Sequence, residues 1–388
     1  MKPIRKNPLL ASTFAVLVVG QSAQGQTTRY WDNNGNVAGF GNAGGTWAAP
    51  TVSQWTTVAA GNVAPGASIT TLINDPLHFG TDTAGQGLGS GTITVSGTVN
   101  AASLRFGSQT TGNVALSGGT INLAAVTSIH VGAGGSTVHT ISSQITGAAT
   151  SLTKTGNTLQ LSANNSYTGQ TIISSGTLIL NNSAVLGGNA PGTNGTSAIS
   201  MGANSTLQSN YAPADAGITD SYVYAPITLT AAGTNNFFIG NGNSSTPAES
   251  VRFNLNGAIG GTAGANVVFG NTATTRNNAD SIIVLGAAST YNGNTTIQAG
   301  NVQNRINVIA AVENALPTTT VLSFDAVAGS GSGRTTQFDL NGNNQTLAGL
   351  SNAGVVGADR NLRVTSATAA TLVHRPLSQC AYRSDTFS

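Results

Sequence analysis

The sequence predicts an all-β protein folded as a β-solenoid with an N-terminal cap. Three observations carry this: a composition without helix formers, short alternating strands at regular spacing, and an internal repeat. Charged residues make up 7% of the 388, against about 25% in an ordinary soluble domain. The chain holds three Lys and two Glu, but 50 Gly, 53 Thr and 40 Asn. Long helices draw on Ala, Leu, Glu, Lys, Gln and Arg, so an all-α fold is excluded, and without long amphipathic stretches so is a doubly wound α/β fold. Hydrophobic residues at 39% with almost no net charge do not fit a solvated, disordered coil.

The first element, residues 1–25, reads as a signal peptide. Lys2, Arg5 and Lys6 form a basic start, Leu9 to Val19 an apolar run, and Ala23-Gln24-Gly25 offers small residues for cleavage after Gly25. The run is short of the ~20 residues that span a bilayer, so export is expected, with no transmembrane helix in the mature chain. Without those three cations, 11 basic side chains face 12 acidic ones. No basic patch with interleaved aromatics exists, so nucleic acid is not an expected partner. The single cysteine, Cys380, cannot form an intramolecular disulfide.

Residues 26–75 hold all three tryptophans, Trp31, Trp47 and Trp55. Aromatics gathered at one end of a Gly/Asn-rich chain read as a cap over a stack of layers; the alternative is a platform on which sugars stack. From residue 76 to 373 short runs with period-2 alternation recur about every ten residues, separated by Gly, Asn or Ser. Ile93 and Val95, Leu104 and Phe106, Val114 and Leu116, Ile121 and Leu123, and Ile129 and Val131 are examples. Such runs need stacked neighbours to bury a core, at ~20–25 residues per coil. Asn and Thr at the alternate positions read as turn formers and side-chain ladders.

A longer repeat stands at an offset of 124 residues, over about 152–187 and 276–311. Leu159, Leu161, Tyr167, Gly169, Thr171, Ile173, Gly176 and Leu178 align without gaps on Ile283, Leu285, Tyr291, Gly293, Thr295, Ile297, Gly300 and Val302. The pattern reads strand, tight turn, strand, with the Tyr-x-Gly glycine supplying a positive φ at a corner. The first copy, with Leu152, Lys154 and Gly156 ahead of it, resembles the autotransporter-associated β-strand repeat, a pattern near L-x-K-x-G-x-G-T-L-x-L-S-G-x-N-x-Y-T-G-x-T-x-I-x-x-G-T-L. Asn157 and Ala163 stand where that pattern has Gly, and Asn292 and Asn301 replace Thr in the second copy. Phe338 to Ser351 resembles the block that often follows such repeats. The resemblance implies a right-handed parallel β-helix passenger, exported and surface-displayed, with no defined active site, as an adhesin-like stalk.

The end departs from that pattern. Members continue into further repeats and a translocator barrel or anchor, whereas residues 374–388 lose both Gly and alternation. They read as a truncated or disordered tail outside any coil, with the last strand at 361–365 or 371–373. The open end coils are then expected to self-associate.

No residue pattern predicts catalysis, a cofactor or a metal. Asp75, Asp82, Asp215, Asp220, Asp280, Asp325 and Asp339 are spread singly. His78, His130, His139 and His374 show no metal-ligand spacing, and His130 is expected to face outward on a strand. Gly39-Phe-Gly41-Asn-Ala-Gly44 matches a dinucleotide fingerprint in letters alone, with no βαβ context. The expectation is therefore an exported, non-enzymatic stalk or adhesive, with an extracellular polysaccharide or other surface component as its partner. The second reading is a polysaccharide-active or carbohydrate-binding β-helix, pointed to by Asp215 and Asp220 beside Tyr211, Tyr222 and Tyr224.

Overall fold

The computed structural model describes residues 25–388 except 52, 67, 110, 134–137, 182–185, 187–194, 211–218, 241–250, 262–263, 273–279, 300–304, 327–333, 353–359, 375–382 and 388. The signal-peptide reading, Tyr211, Asp215, Gly300 and Cys380 lie outside the described residues. Among the described residues there are strands of two to seven residues and no helix, so none is long and apolar enough to cross a membrane.

The strands wind as a parallel β-helix with three faces. The chain visits face one, then two, then three, and returns one layer on. Face two is a single twelve-stranded sheet in strict chain order, from Thr46–Trp47 to Gly349–Asn352. At ~4.8 Å per layer it is about 53 Å long. Face one is ten strands reaching Ile259–Gly261, and its later layers include Gln345–Leu347 and Ala370–His374. Face three carries a three-stranded sheet ending at Gln144–Gly147 and then a six-stranded one from Thr219–Val223 to Arg360–Thr365.

Period-2 alternation explains the packing. In Ser103–Phe106 and Val126–Val131 the residues Leu104, Phe106, Ile129 and Val131 point inward and are buried. Parallel pairing then stacks like on like. On face one Leu77, Leu104, Ile129, Lys154, Ile173, Met201 and Leu229 form one continuous inward row. Outward polar residues form the expected ladders: Asn122 donates to Asn100 at 2.8 Å, and Thr146 to Asn122 at 3.4 Å. After a first coil of 48 residues (Arg29 to Leu77), coil length is still more variable than alternation suggests, from 19 residues (Lys154 to Ile173) to 32 (Ile227 to Ile259). The strands stay short while the corner connections absorb the difference.

The N-terminal region joins this stack directly. Trp31, Trp47 and Trp55 are at most 1% exposed and pack edge-to-face, with centroids 5.0 and 5.6 Å apart, over Phe79. Their faces are used up in the core, which rules out the sugar-platform alternative for these rings. Strand Trp55–Thr56 runs antiparallel to Arg29–Trp31 and forms the first edge of face one. Buried Asp75 holds the entry, accepting from Arg29 Nε at 2.7 Å and Leu72 N–H at 3.0 Å.

The far end corrects one expectation. Arg383–Phe387 is a strand, antiparallel to Ala370–His374, where alternation alone ended the strands at Val373. An edge strand can be held by backbone hydrogen bonds without an apolar row of its own, so its sequence carries no periodic signal.

Candidate functional site

The repeat residues assemble a buried hydrogen-bond relay, built twice. Tyr167 is fully buried, so its hydroxyl needs a partner, and it meets Thr171 Oγ1 at 2.9 Å. Thr171 Oγ1 meets Thr196 Oγ1 at 2.9 Å, and the Thr196 hydroxyl donates to the Gly169 carbonyl at 2.8 Å. In the second copy Tyr291 bonds Thr295, Thr295 meets Thr320 at 2.9 Å, and Thr320 donates to Gly293 at 2.8 Å. Ending on a carbonyl fixes the direction: each hydroxyl donates to the next, and such chains strengthen one another. Burial pushes the Tyr167 phenol up to about 12 and the Tyr291 phenol higher still. Thr196 and Thr320 escaped the sequence reading, although the 124-residue offset relates them as it relates Thr171 and Thr295.

Leu159 and Leu161 sit inward in Thr158–Leu161, Ile173 in Gln170–Ile173, Leu178 in Thr177–Leu180, and Ile297 in Thr295–Ala299. The corner glycines act differently from expectation. Neither Gly169 nor Gly293 has a positive φ; a Cβ on either would lie 2.3 or 2.2 Å from the Ala148 or Ala265 carbonyl oxygen of the preceding coil. Close approach between layers, not turn handedness, requires glycine there.

Lys154 is the largest departure from the alternation rule. It points into the aliphatic row of face one and is 2% exposed. Its Nζ donates to the carbonyls of Gly156 at 2.7 Å, Ser175 at 2.8 Å and Asn157. Burial pushes its pKa down to about 7. Gly176, with φ +68°, closes the cage: a Cβ there would fall 1.8 Å from the Gly156 oxygen.

Two outward clusters carry the remaining ionisable chemistry. On face one His78, Arg105 and His130 lie side by side, with Asp82 paired to Arg105 and His130 Nδ1 2.9 Å from Thr155 Oγ1. His130 thus faces outward, as alternation predicts. Burial, then Arg105, pushes His78 down to about 4 and lowers His130 as well. Asp82 is held below its usual range: burial opposes its charge, but the Ser108 N–H and Arg105 outweigh it. His139 instead points inward, stacks on Phe106 at 4.6 Å and accepts from the Val114 N–H; burial pushes it down to about 4.

On face three Asp220 receives Asn254 Nδ2 at 3.1 Å and Arg252 at 3.6 Å, beside Tyr222 and Tyr224. Burial, then Asp220, raises the Tyr222 phenol. Among the described residues no group of three or more His, Cys, Asp or Glu could hold a metal ion.

Over 180 residues the chain is 32% identical to the "Adhesin BmaC autotransporter" of Brucella suis biovar 1 (strain 1330). The matched stretch is 46% of this chain and 5% of that relative, so the chain spans a small part of the length of the protein it matches. No family model matches the chain, and no solved structure does.

Proposed function

We propose that this chain is an exported, adhesin-like β-helical passenger that acts without catalysis, as a surface stalk or adhesive face at the cell exterior. The observation that carries this is the similarity to an adhesin autotransporter, on a chain wound as a parallel β-helix. The build suits that role. The chain is low in charge and its strands repeat in layers, and the buried hydrogen-bond relays and the Lys154 cage are shut away from substrate. Export is the expectation set by residues 1–25, and the repeat resemblance supports display at the surface. The test is adherence: beads coated with the full chain, incubated with epithelial monolayers, should be retained well above albumin-coated beads. Retention equal to albumin, or release of reducing or unsaturated sugars from a polysaccharide panel, would overturn the reading.

A further inference from the structure

We infer that face three carries a saccharide-binding patch, centred on Tyr222 and Tyr224 and selective for neutral pyranose chains. It names a ligand class for the adhesive surface and so rests on the adhesive reading. The two rings stack with centroids 5.7 Å apart and planes within 12°, partly exposed on the outer side of the helix. Trp31, Trp47 and Trp55, by contrast, are spent in the core. A rigid aromatic surface facing solvent matches the apolar C–H face of a pyranose and loses little entropy on binding.

The polar groups around the rings are already fixed. Asp220 holds Asn254 at 3.1 Å and Arg252 at 3.6 Å, so binding need not order them. Register places Arg252, Ile282 and Asn307 in one outward row. Arg252 and Asn307, on either side of Ile282, are polar side chains partly exposed on this outer side. A donor and an acceptor flanking an apolar floor is what a ring with hydroxyls on an apolar face requires. The charges select the ligand further: Asp220 and Arg252 offset each other, so a polyanion would meet the carboxylate and a polycation the guanidinium.

Affinity electrophoresis of the full chain tests this, in gels holding hydroxyethyl cellulose, xylan or galactomannan, with polygalacturonate as the charged comparison. The expected result is retardation in at least one neutral gel and none in polygalacturonate. Tyr222→Ala and Tyr224→Ala should each weaken it about tenfold, whereas Tyr222→Phe, which keeps the ring, and Tyr30→Ala, on face one, should leave it near wild type. Should an alanine variant melt early, Asn307→Ala reads the same patch from a different strand. No retardation in any neutral gel, retardation in polygalacturonate alone, or retardation indifferent to Tyr222, Tyr224 and Asn307 would overturn the patch. Coated beads that adhere to cells without any glycan retardation sink the patch alone, whereas beads that do neither sink the adhesive reading with it.

Discussion

The two copies of the repeat share a relay but not a face. In the first, Thr171 lies on face one and the Tyr167 segment replaces a strand of face three, where Ser166 N–H bonds the Ile145 carbonyl at 2.9 Å. In the second, Thr295 lies on face two and the Tyr291 segment replaces a strand of face one, with Thr290 N–H on the Ile259 carbonyl at 2.8 Å. The offset of 124 residues is four coils and one face more, so the second copy is rotated about a third of a turn. At each copy the sheet whose strand the tyrosine displaces comes to its end: Gln144–Gly147 closes one and Ile259–Gly261 the other. The motif is therefore a local device for interrupting a sheet while keeping the core filled, and it works wherever on the helix it falls. The copies differ in one respect, since the first encloses Lys154 and the second has Asn278 at that offset.

If the relays are equivalent, Tyr167→Ala and Tyr291→Ala should have the largest effects. Each empties a buried aromatic site and costs about 3–5 kcal/mol. Hydrogen exchange should show the loss in the two or three coils around each site, because a solenoid is coupled mainly to its neighbours. A cost at one tyrosine but not the other breaks the equivalence.

Lys154→Met sharpens the difference between the copies. It leaves three buried carbonyls without their donor and should cost roughly 2–3 kcal/mol, seen as faster exchange around Ser151–Gly156 and unchanged exchange around Thr295–Ala299. The same lysine sets a pH dependence. Its folded pKa of about 7 lies below the unfolded value, so between the two the unfolded chain binds the extra proton. Stability from this group therefore rises as pH goes from about 7 toward 10, and urea midpoints of the Lys154→Met variant should lack that rise. The smallest effect is at the relay ends: Thr196→Val and Thr320→Val should each cost about 1–2 kcal/mol, equally, by urea melts.

Much of the fold was open to reading because it rests on local rules. Alternation put Leu104, Ile129 and Ile173 inward without reference to the rest of the chain. The offset exposed Tyr167, Gly169 and Thr171 with their partners. What escaped depends on which residues share a layer, and coil lengths of 19 to 32 residues after the first hide that. Thr196 reaches Thr171 across one coil of 25 residues. Lys154 could be read as part of a motif, but its inward cage needs Ser175 from the next layer. Asp220 and Tyr222 were visible as neighbours; Arg252 and Asn254, which complete the patch, come from the following coil.

The antiparallel strands at the two ends of face one bear on templating. A parallel stack is a seed: each edge invites an incoming strand of the same direction, and a second chain could continue the series as a fibril does. Trp55–Thr56 at one end and Arg383–Phe387 at the other reverse the polarity of that edge. A copy arriving there with its strands parallel to the stack meets a reversed strand and can pair with it only in the antiparallel pattern, not in the parallel register that joins the coils to one another. The reversal changes the hydrogen-bonding pattern at these two edges, one in the ten-stranded sheet and one in the separate three-stranded sheet of the later layers.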